Sequence, residues 1–380
     1  MASLWSILIK WSYPELFVAF ACLFYFGYLR RRDGALPNWP ILGMLPSLAF
    51  NIHRVHDWLV DVFRKTGCTF MFNGPWFTHM DILCTCDPAN VHHILSTNFS
   101  DFPKGPSFSK IFDVLGGGIF NSDSESWRIQ RKMAHSLISS KRFGAFVART
   151  SQEKVDKGLV HVLKHIIKQG QVPFAKAMDD AMEAVAFRHA MPESWWMVLK
   201  RLKIGKEKKL AEAWKIIDHF INQHVSIRRE ELYKSRTNVG ENDCEEGGDL
   251  LTAYINYQPG DELAILNSAK FLRDTTVNLM LAGRDTTSAA LTWFFWVVSM
   301  NPEVETKILR ELKATSPKLR EGWHGKLKVF DAEELSQLVY LHAALCESLR
   351  LFPPVPFEHK SVFQRQVLPT GYKICIVSQQ

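Results

Sequence analysis

Ala282-Gly283-Arg284-Asp285-Thr286-Thr287 is the string on which the reading of this chain of 380 residues turns. It lies in a stretch from Phe271 to Met300 that has few charges, no proline and apolar residues at every angular position (Leu279, Met280, Leu281, Leu291, Trp293, Phe294, Phe295, Trp296). The pattern predicts one long helix, and a helix that is apolar all round is expected to be buried. A glycine inside it costs about 1 kcal/mol relative to alanine. An unpaired buried carboxylate costs more, or shifts its pKa until it is neutral. Ala282 and Thr286 are four apart and Gly283 and Thr286 three apart, so they share a face. Gly283 leaves room for a flat ligand or a small molecule against the backbone. A Thr hydroxyl bonded to the carbonyl one turn back bends a helix and opens a groove. Asp285 beside Thr286 adds an acid–alcohol pair able to relay protons. The six residues alone fit equally well a kinked core helix whose polar groups bond one another.

Two further strings shift that balance. Glu347-Ser348-Leu349-Arg350 lies in a helical pattern, Leu338–Leu351, that stops at Pro353-Pro354. Its Glu and Arg meet on one face, which alone is an ordinary surface pair worth a few tenths of a kcal/mol. In Trp127-Arg128-Ile129-Gln130-Arg131 the Trp and the last Arg stand one turn apart, and arginine suits carboxylates. Each string is common by chance. In this order the three together resemble the cytochromes P450, the haem-thiolate monooxygenases. Ala-Gly-Arg-Asp-Thr-Thr-Ser-Ala-Ala-Leu-Thr-Trp-Phe-Phe-Trp at 282–296, Pro-Ile-Leu-Gly-Met-Leu-Pro at 40–46 and Leu-Arg-Leu-Phe-Pro-Pro-Val-Pro at 349–356 resemble the plant fatty-acid and alkane hydroxylases within that family. The nearest likeness is to the mid-chain alkane hydroxylases of cuticular wax synthesis.

The resemblance implies a mainly α fold with small β regions. It implies haem b as cofactor, with Ala282, Gly283, Asp285 and Thr286 forming the oxygen-activating groove above it. Asp285 and Thr286 would relay protons to bound oxygen, Trp127 and Arg131 would hold the haem propionates, and Glu347 with Arg350 would be a buried ion pair anchoring the helices beneath. The implied reaction inserts one atom of O2 into a C–H bond of a long aliphatic chain, with electrons from an NADPH-dependent cytochrome reductase.

Composition agrees with a large interior: 47% hydrophobic residues, with 26 Phe and 12 Trp, suit a core built around apolar ligands. The net charge of +7 is modest and forms no concentrated patch, so nucleic-acid binding is not expected. Seven cysteines without a framework predict reduced thiols facing the cytosol. Trp11–Leu29 carries one charge, Glu15, and runs into Arg30-Arg31-Arg32. As a helix it spans roughly 28 Å, about the hydrocarbon thickness of the endoplasmic reticulum bilayer. The arginines place the rest of the chain on the cytosolic side. The h-region of a cleaved signal peptide would be shorter, so an uncleaved single-pass anchor is expected. The expected organisation is therefore a flank at 1–10, the anchor at 11–29, a basic, proline-rich hinge at 30–50 and a P450 domain at 51–380.

Along the domain, Val55–Thr66 reads as a helix, and Thr69–Cys86 as two strands around Asn73-Gly74. Asp87-Pro88-Ala89 opens a helix with a cap and a proline at the first position. Gly116-Gly117-Gly118 reads as a flexible turn, and without a phosphate-loop context it has no nucleotide role. Ser124–Ser139, Lys141–Lys168, Phe174–His189, Glu207–Ser235 and Pro302–Ala314 read as helices. Asn238–Asp249 reads as an acidic loop, and Val362–Leu368 and Tyr372–Val377 as strands. No residues are expected to form a dedicated metal site, and Cys84-x-Cys86 is expected to be structural.

The family places its axial thiolate in a Phe-x-x-Gly-x-x-x-Cys-x-Gly loop downstream of the Glu-x-x-Arg helix, and no such string occurs in these 380 residues. Cys375 has no preceding Phe-x-x-Gly and is not expected to be the ligand. Further helical material that the family carries near Gly170 is also lacking. These features imply a family member shortened at its C-terminus. The alternative expectation is a catalytically silent, membrane-anchored remnant or interaction protein.

Overall fold

The computed structural model describes Val18, Ala21, Cys22 and residues 36–39, 41–78, 80–155, 173–238, 249–256, 268–315, 330 and 332–374. In chain order the elements are α1 (Leu45–Asn51), α2 (Val55–Thr66), β1 (Thr69–Asn73), β2 (Asp81–Thr85), α3 (Pro88–His92), α4 (Gly105–Ile111), α5 (Ser124–Ile138), α6 (Lys141–Lys154) and α7 (Pro173–Ala190). They continue with α8 (Glu193–Leu202), α9 (Gly205–Asn238), α10 (Leu250–Asn256), α11 (Ala269–Ser299), α12 (Pro302–Thr315), α13 (Ala332–Ser336), α14 (Val339–Leu351), β3 (Gln366–Val367) and β4 (Lys373–Ile374). The chain divides into one unit of 1–107, 182–211 and 360–380, and another of 108–181 and 212–359.

In the first unit β1 and β2 form the expected antiparallel hairpin, with Thr69 opposite Thr85 and Asn73 opposite Asp81. The hairpin and α2 enclose a core of Leu36, Met44, Trp58, Val62, Phe70 and Phe72. Asp87 caps α3 as its sequence predicts, its Oδ1 accepting the Ala89 and Asn90 amides at 3.0 Å each. The buried Asn90 amide group then reaches Thr85 Oγ1 at 3.1 Å and Thr370 Oγ1 at 2.8 Å, tying the hairpin to the β3–β4 turn. Burial demands these bonds, because a polar amide without partners loses its hydration for nothing. In the same unit, Arg188 and Glu207 make a two-pronged pair at 2.7 and 2.6 Å with both side chains essentially inaccessible. The Arg188 guanidinium lies 4.6 Å from the Trp196 ring centroid.

The second unit is organised by α11. The Ser268 hydroxyl accepts the Phe271 amide at 3.1 Å and caps the helix just ahead of its apolar run. Its first half is buried from Phe271 to Thr275 and again at Val277 and Asn278. The second half corrects the expectation of burial throughout: Trp293 is 40% exposed, Trp296 60% and Phe295 66%. Periodicity describes a helix's own faces, and it does not say what packs on them. Trp293 still stacks on Phe352 at the end of α14, 4.1 Å between centroids and 4° from parallel. The N-terminus of α14 is closed by Glu311 of α12, whose two carboxylate oxygens accept the Tyr340 and Leu341 amides at 2.7 and 2.8 Å.

The described chain is thus mainly helical with two small two-stranded sheets, as the expected fold class requires. No helix among the described residues is long and apolar enough to cross a membrane. The expected anchor Trp11–Leu29 lies outside the described residues except for Val18, Ala21 and Cys22, which are helical and exposed. Cys375, the region around Gly170 and most of the acidic loop before Asp249 also lie outside them.

Candidate functional site

The notch of α11 has the local form its residues demand. Thr286 Oγ1 donates to the Ala282 carbonyl one turn back at 2.6 Å. A Cβ placed on Gly283 would meet nothing within 4 Å, so open space faces the backbone there. Asp285 is half-buried, and its Oδ1 accepts from Arg284 Nη1 at 2.7 Å. Arg284 Nη2 reaches on to Asp179 of α7 at 2.8 Å. The Asp179 bond and the two nearby carboxylates raise the guanidinium pKa further still. Asp285 and Thr286 are therefore adjacent groups with separate partners: a carboxylate held by a guanidinium, and a hydroxyl donating along its own helix. That hydroxyl keeps its acceptor lone pairs, and its proton is released from the carbonyl by a single rotation.

On α5, Trp127 is half-buried and Arg131 is exposed. Arg128 faces Glu125 at 3.6 Å, whereas no carboxylate among the described residues pairs with Arg131. Its fork is available for an anionic partner.

A polar clamp that the sequence reading missed joins α11 to the approach to α5. Asp274 Oδ2 accepts the Gly117 amide at 2.8 Å, and Asn278 Oδ1 accepts the Phe120 amide at 3.0 Å. Asn278 Nδ2 donates to the Leu115 carbonyl at 2.9 Å. Arg273 Nη1 bonds both the Val114 carbonyl and Asp274 at 2.9 Å, and its Nε reaches Asp218 at 2.6 Å. From the α5 side, the buried Gln130 donates to the Gly117 carbonyl at 3.1 Å and to the Ser122 and Ser126 hydroxyls. The glycines permit this approach. A Cβ on Gly116 would lie 2.2 Å from the Asp274 carboxyl, and one on Gly118 2.2 Å from the Asn278 amide. The supposed flexible turn is a strap bolted to α11. The signal was present in the sequence as Asp274 and Asn278, polar and four apart in an apolar helix.

Glu347 and Arg350 pair as expected, Nε to Oε2 at 2.7 Å and Nη2 to Oε1 at 2.6 Å. The expected burial is corrected: their side chains are 56% and 66% exposed. Arg350 holds the Glu347 carboxyl below the usual carboxylate range by that hydrogen bond. An i, i+3 pair is satisfied by the helix surface itself, so its geometry forms without anything covering it.

These residues fit a haem in part. The oxygen side and the propionate side fit, through the open Gly283, the Thr286 hydroxyl and the unpaired Arg131 fork. Among the described residues no cysteine fits as the thiolate ligand. The described free cysteines are Cys22, Cys68, Cys84, Cys86 and Cys346, and none stands in a Phe-x-x-Gly-x-x-x-Cys setting. No cluster of three or more metal-ligating side chains exists among the described residues either.

Comparison with known proteins agrees with the motif order. The family model described as Cytochrome P450 matches residues 34–170 and 162–379. The two stretches overlap at residues 162–170. The chain is 38% identical to Alkane hydroxylase MAH1 of Arabidopsis thaliana, covering 93% of this chain and 75% of that protein. It is 39% identical to Cytochrome P450 86B1 of Arabidopsis thaliana, covering 90% and 67%. It is 35% identical to Noroxomaritidine synthase 1 of Narcissus pseudonarcissus, covering 95% and 75%. The chain belongs to the cytochrome P450 family, close to its plant alkane and fatty-acid hydroxylases.

Proposed function

We propose that this chain serves the haem- and O2-dependent hydroxylation of long aliphatic chains, with electrons supplied by an NADPH-dependent cytochrome reductase. The observation that carries the reading is the α11 notch, with open space at Gly283 beside the Thr286 hydroxyl, in a helix bolted through the glycine strap to the helix that carries Arg131. The name of the relative Alkane hydroxylase MAH1 supports an aliphatic substrate. Haem, when bound, supplies the oxygen activation. The chain's own residues supply the rest: Thr286 offers a hydroxyl, Asp285 a guanidinium-held carboxylate, and Arg131 a fork for a carboxylate.

A second reading is favoured by the exposure of Glu347 and Arg350. In it the chain is a catalytically silent, membrane-bound interaction protein. The reduced, carbon-monoxide-bound absorption spectrum of the full chain expressed with haem separates the two. A Soret band at the thiolate position supports the monooxygenase and rules out the silent reading. Absence of haem uptake does the reverse.

Under both readings Trp11–Leu29 anchors the chain in the endoplasmic reticulum membrane with the bulk of it cytosolic. Exposed apolar side chains of the first unit support contact with a bilayer. They include Phe50, Trp76 and Phe77, and on α8 Met197, Val198 and Leu202 interleaved with Lys200, Arg201 and Lys203.

A further inference from the structure

The hairpin of the first unit ends in a different chemistry. Thr69 pairs with Thr85, so the next residues outward, Cys68 and Cys86, face one another, and the Cys86 amide donates to the Cys68 carbonyl at 2.8 Å. Residues directly opposite in an antiparallel ladder have Cα atoms about 4.5–5.5 Å apart. That lies inside the span of roughly 4.4–6.8 Å that a disulfide bridges. The Cys68 thiol is a close enough neighbour of the Cys86 thiol to raise its pKa, and both are free. The backbone holds them in place. Gly67 and Cys68 take left-handed conformations at φ 67° and 68° as α2 closes, and the amides of both return to the Phe63 carbonyl. On the other strand Cys86 leads directly into Asp87, the cap of α3. Cys86 is exposed and Cys68 half-buried, so a small solute reaches the pair from solvent. Cys84, two residues away, packs on the core and is the less accessible thiol.

We propose that Cys68 and Cys86 form a peroxide-responsive dithiol, a modification site that closes reversibly into a disulfide. The Cys86 thiolate attacks an oxygen of a hydroperoxide ROOH. The O–O bond breaks, the RO fragment leaves as ROH after taking a proton, and Cys86 becomes a sulfenic acid. The Cys68 sulfur then attacks the Cys86 sulfur, the S–S bond forms, and the hydroxyl leaves as water with the thiol proton. Two thiols have given two electrons and two protons to the peroxide, which becomes ROH and water. A small dithiol reductant restores the pair by thiol–disulfide exchange. Desolvation first, and the Cys68 thiol next, push the Cys86 thiol up to about 11, with Asp87 acting in the same direction. The thiolate is therefore scarce at neutral pH, and the rate of closure rises about tenfold per pH unit between roughly pH 7 and 9.

The test uses the full chain in detergent micelles, titrated with hydrogen peroxide and mapped as non-reduced peptides. The expected result is a Cys68–Cys86 cross-link, two fewer titratable thiols, and full reversal by dithiothreitol. Cys84→Ala leaves the cross-link intact. Cys68→Ser leaves Cys86 as a sulfenic acid trapped by dimedone, and this variant reads the chemistry even if it is less stable. A cross-link to Cys84 in place of Cys68 overturns the proposal. So does over-oxidation of Cys86 while Cys68 stays free, or a rate independent of pH.

Discussion

At the residue scale the decisive groups are the ones whose neighbours leave no room for alternatives. Gly118 sits so close to Asn278 that any Cβ must displace the amide holding Leu115 and Phe120. Gly118→Ala is expected to destabilise the chain by about 1–3 kcal/mol through overpacking, read as a lower denaturant midpoint. A surface glycine with free space around it, such as Gly144, tolerates the same change and serves as the control. The Arg188–Glu207 pair makes the contrast between removing one partner and removing both. Arg188→Met alone strands a buried carboxylate and is expected to cost about 3–5 kcal/mol, whereas Arg188→Met with Glu207→Leu is expected to be close to neutral. Equal losses for the single and double variants in urea melts would contradict that account. Neither effect was legible from sequence, because the partners of each pair are joined by the fold and not by spacing.

At the element scale the helices were legible and their surroundings were not. The runs Val55–Thr66 and Ser124–Ile138, and the hairpin around Asn73-Gly74, follow from caps, apolar period and turn residues. What α11 packs against does not. Its sequence is at least as apolar after Thr287 as before it, yet there most of the large apolar side chains are exposed and Phe294 is buried. α10 shows a cap that was equally invisible. Asp249 accepts the Thr252 amide and hydroxyl at 2.8 and 2.7 Å, and Arg228 of α9 meets it at 2.8 Å. Burial pushes the Asp249 carboxyl up, but the Thr252 bonds and the Arg228 charge outweigh it and hold it below its ordinary value. A carboxylate depressed on folding contributes stability above its unfolded pKa, about 3.9, and that contribution is lost as pH falls through the folded value. Asp249→Asn is therefore expected to lower stability at neutral pH and to flatten the acid limb below roughly pH 4. Thermal melts of both proteins from neutral to strongly acidic pH check it, and an unchanged acid limb would contradict the assignment.

At the scale of the whole molecule the exposed apolar surface sets the behaviour of the chain. In the first unit it accompanies basic residues on α8, and in the second it lies on the later turns of α11. Microsomes carrying the full chain are expected to retain it through washes with high salt and carbonate, and protease added outside is expected to digest all but a short N-terminal fragment. Release by carbonate, or protection of the large fragment, would refute the anchor and its orientation. On the second unit, Phe295→Ser with Trp296→Ser is expected to change stability by no more than about 0.5 kcal/mol, because the side chains are already largely in solvent.

The sequence by itself determined the family, the order of its three motifs and the run of most described helices, because caps, period and short-range spacing are local properties. It also determined that Thr286 bonds Ala282 and that Glu347 pairs with Arg350, since each partner lies within one helical turn. Only the tertiary structure decided what those groups face. It placed the Glu347–Arg350 pair in solvent, tied the Arg284 that holds Asp285 to Asp179, and turned Gly116–Gly118 into a strap on Asp274 and Asn278. It also set Cys68 opposite Cys86. The physical reason is common to all four: burial and partnership between distant residues depend on which surfaces meet, and the periodicity of one segment carries no record of the segment it packs against.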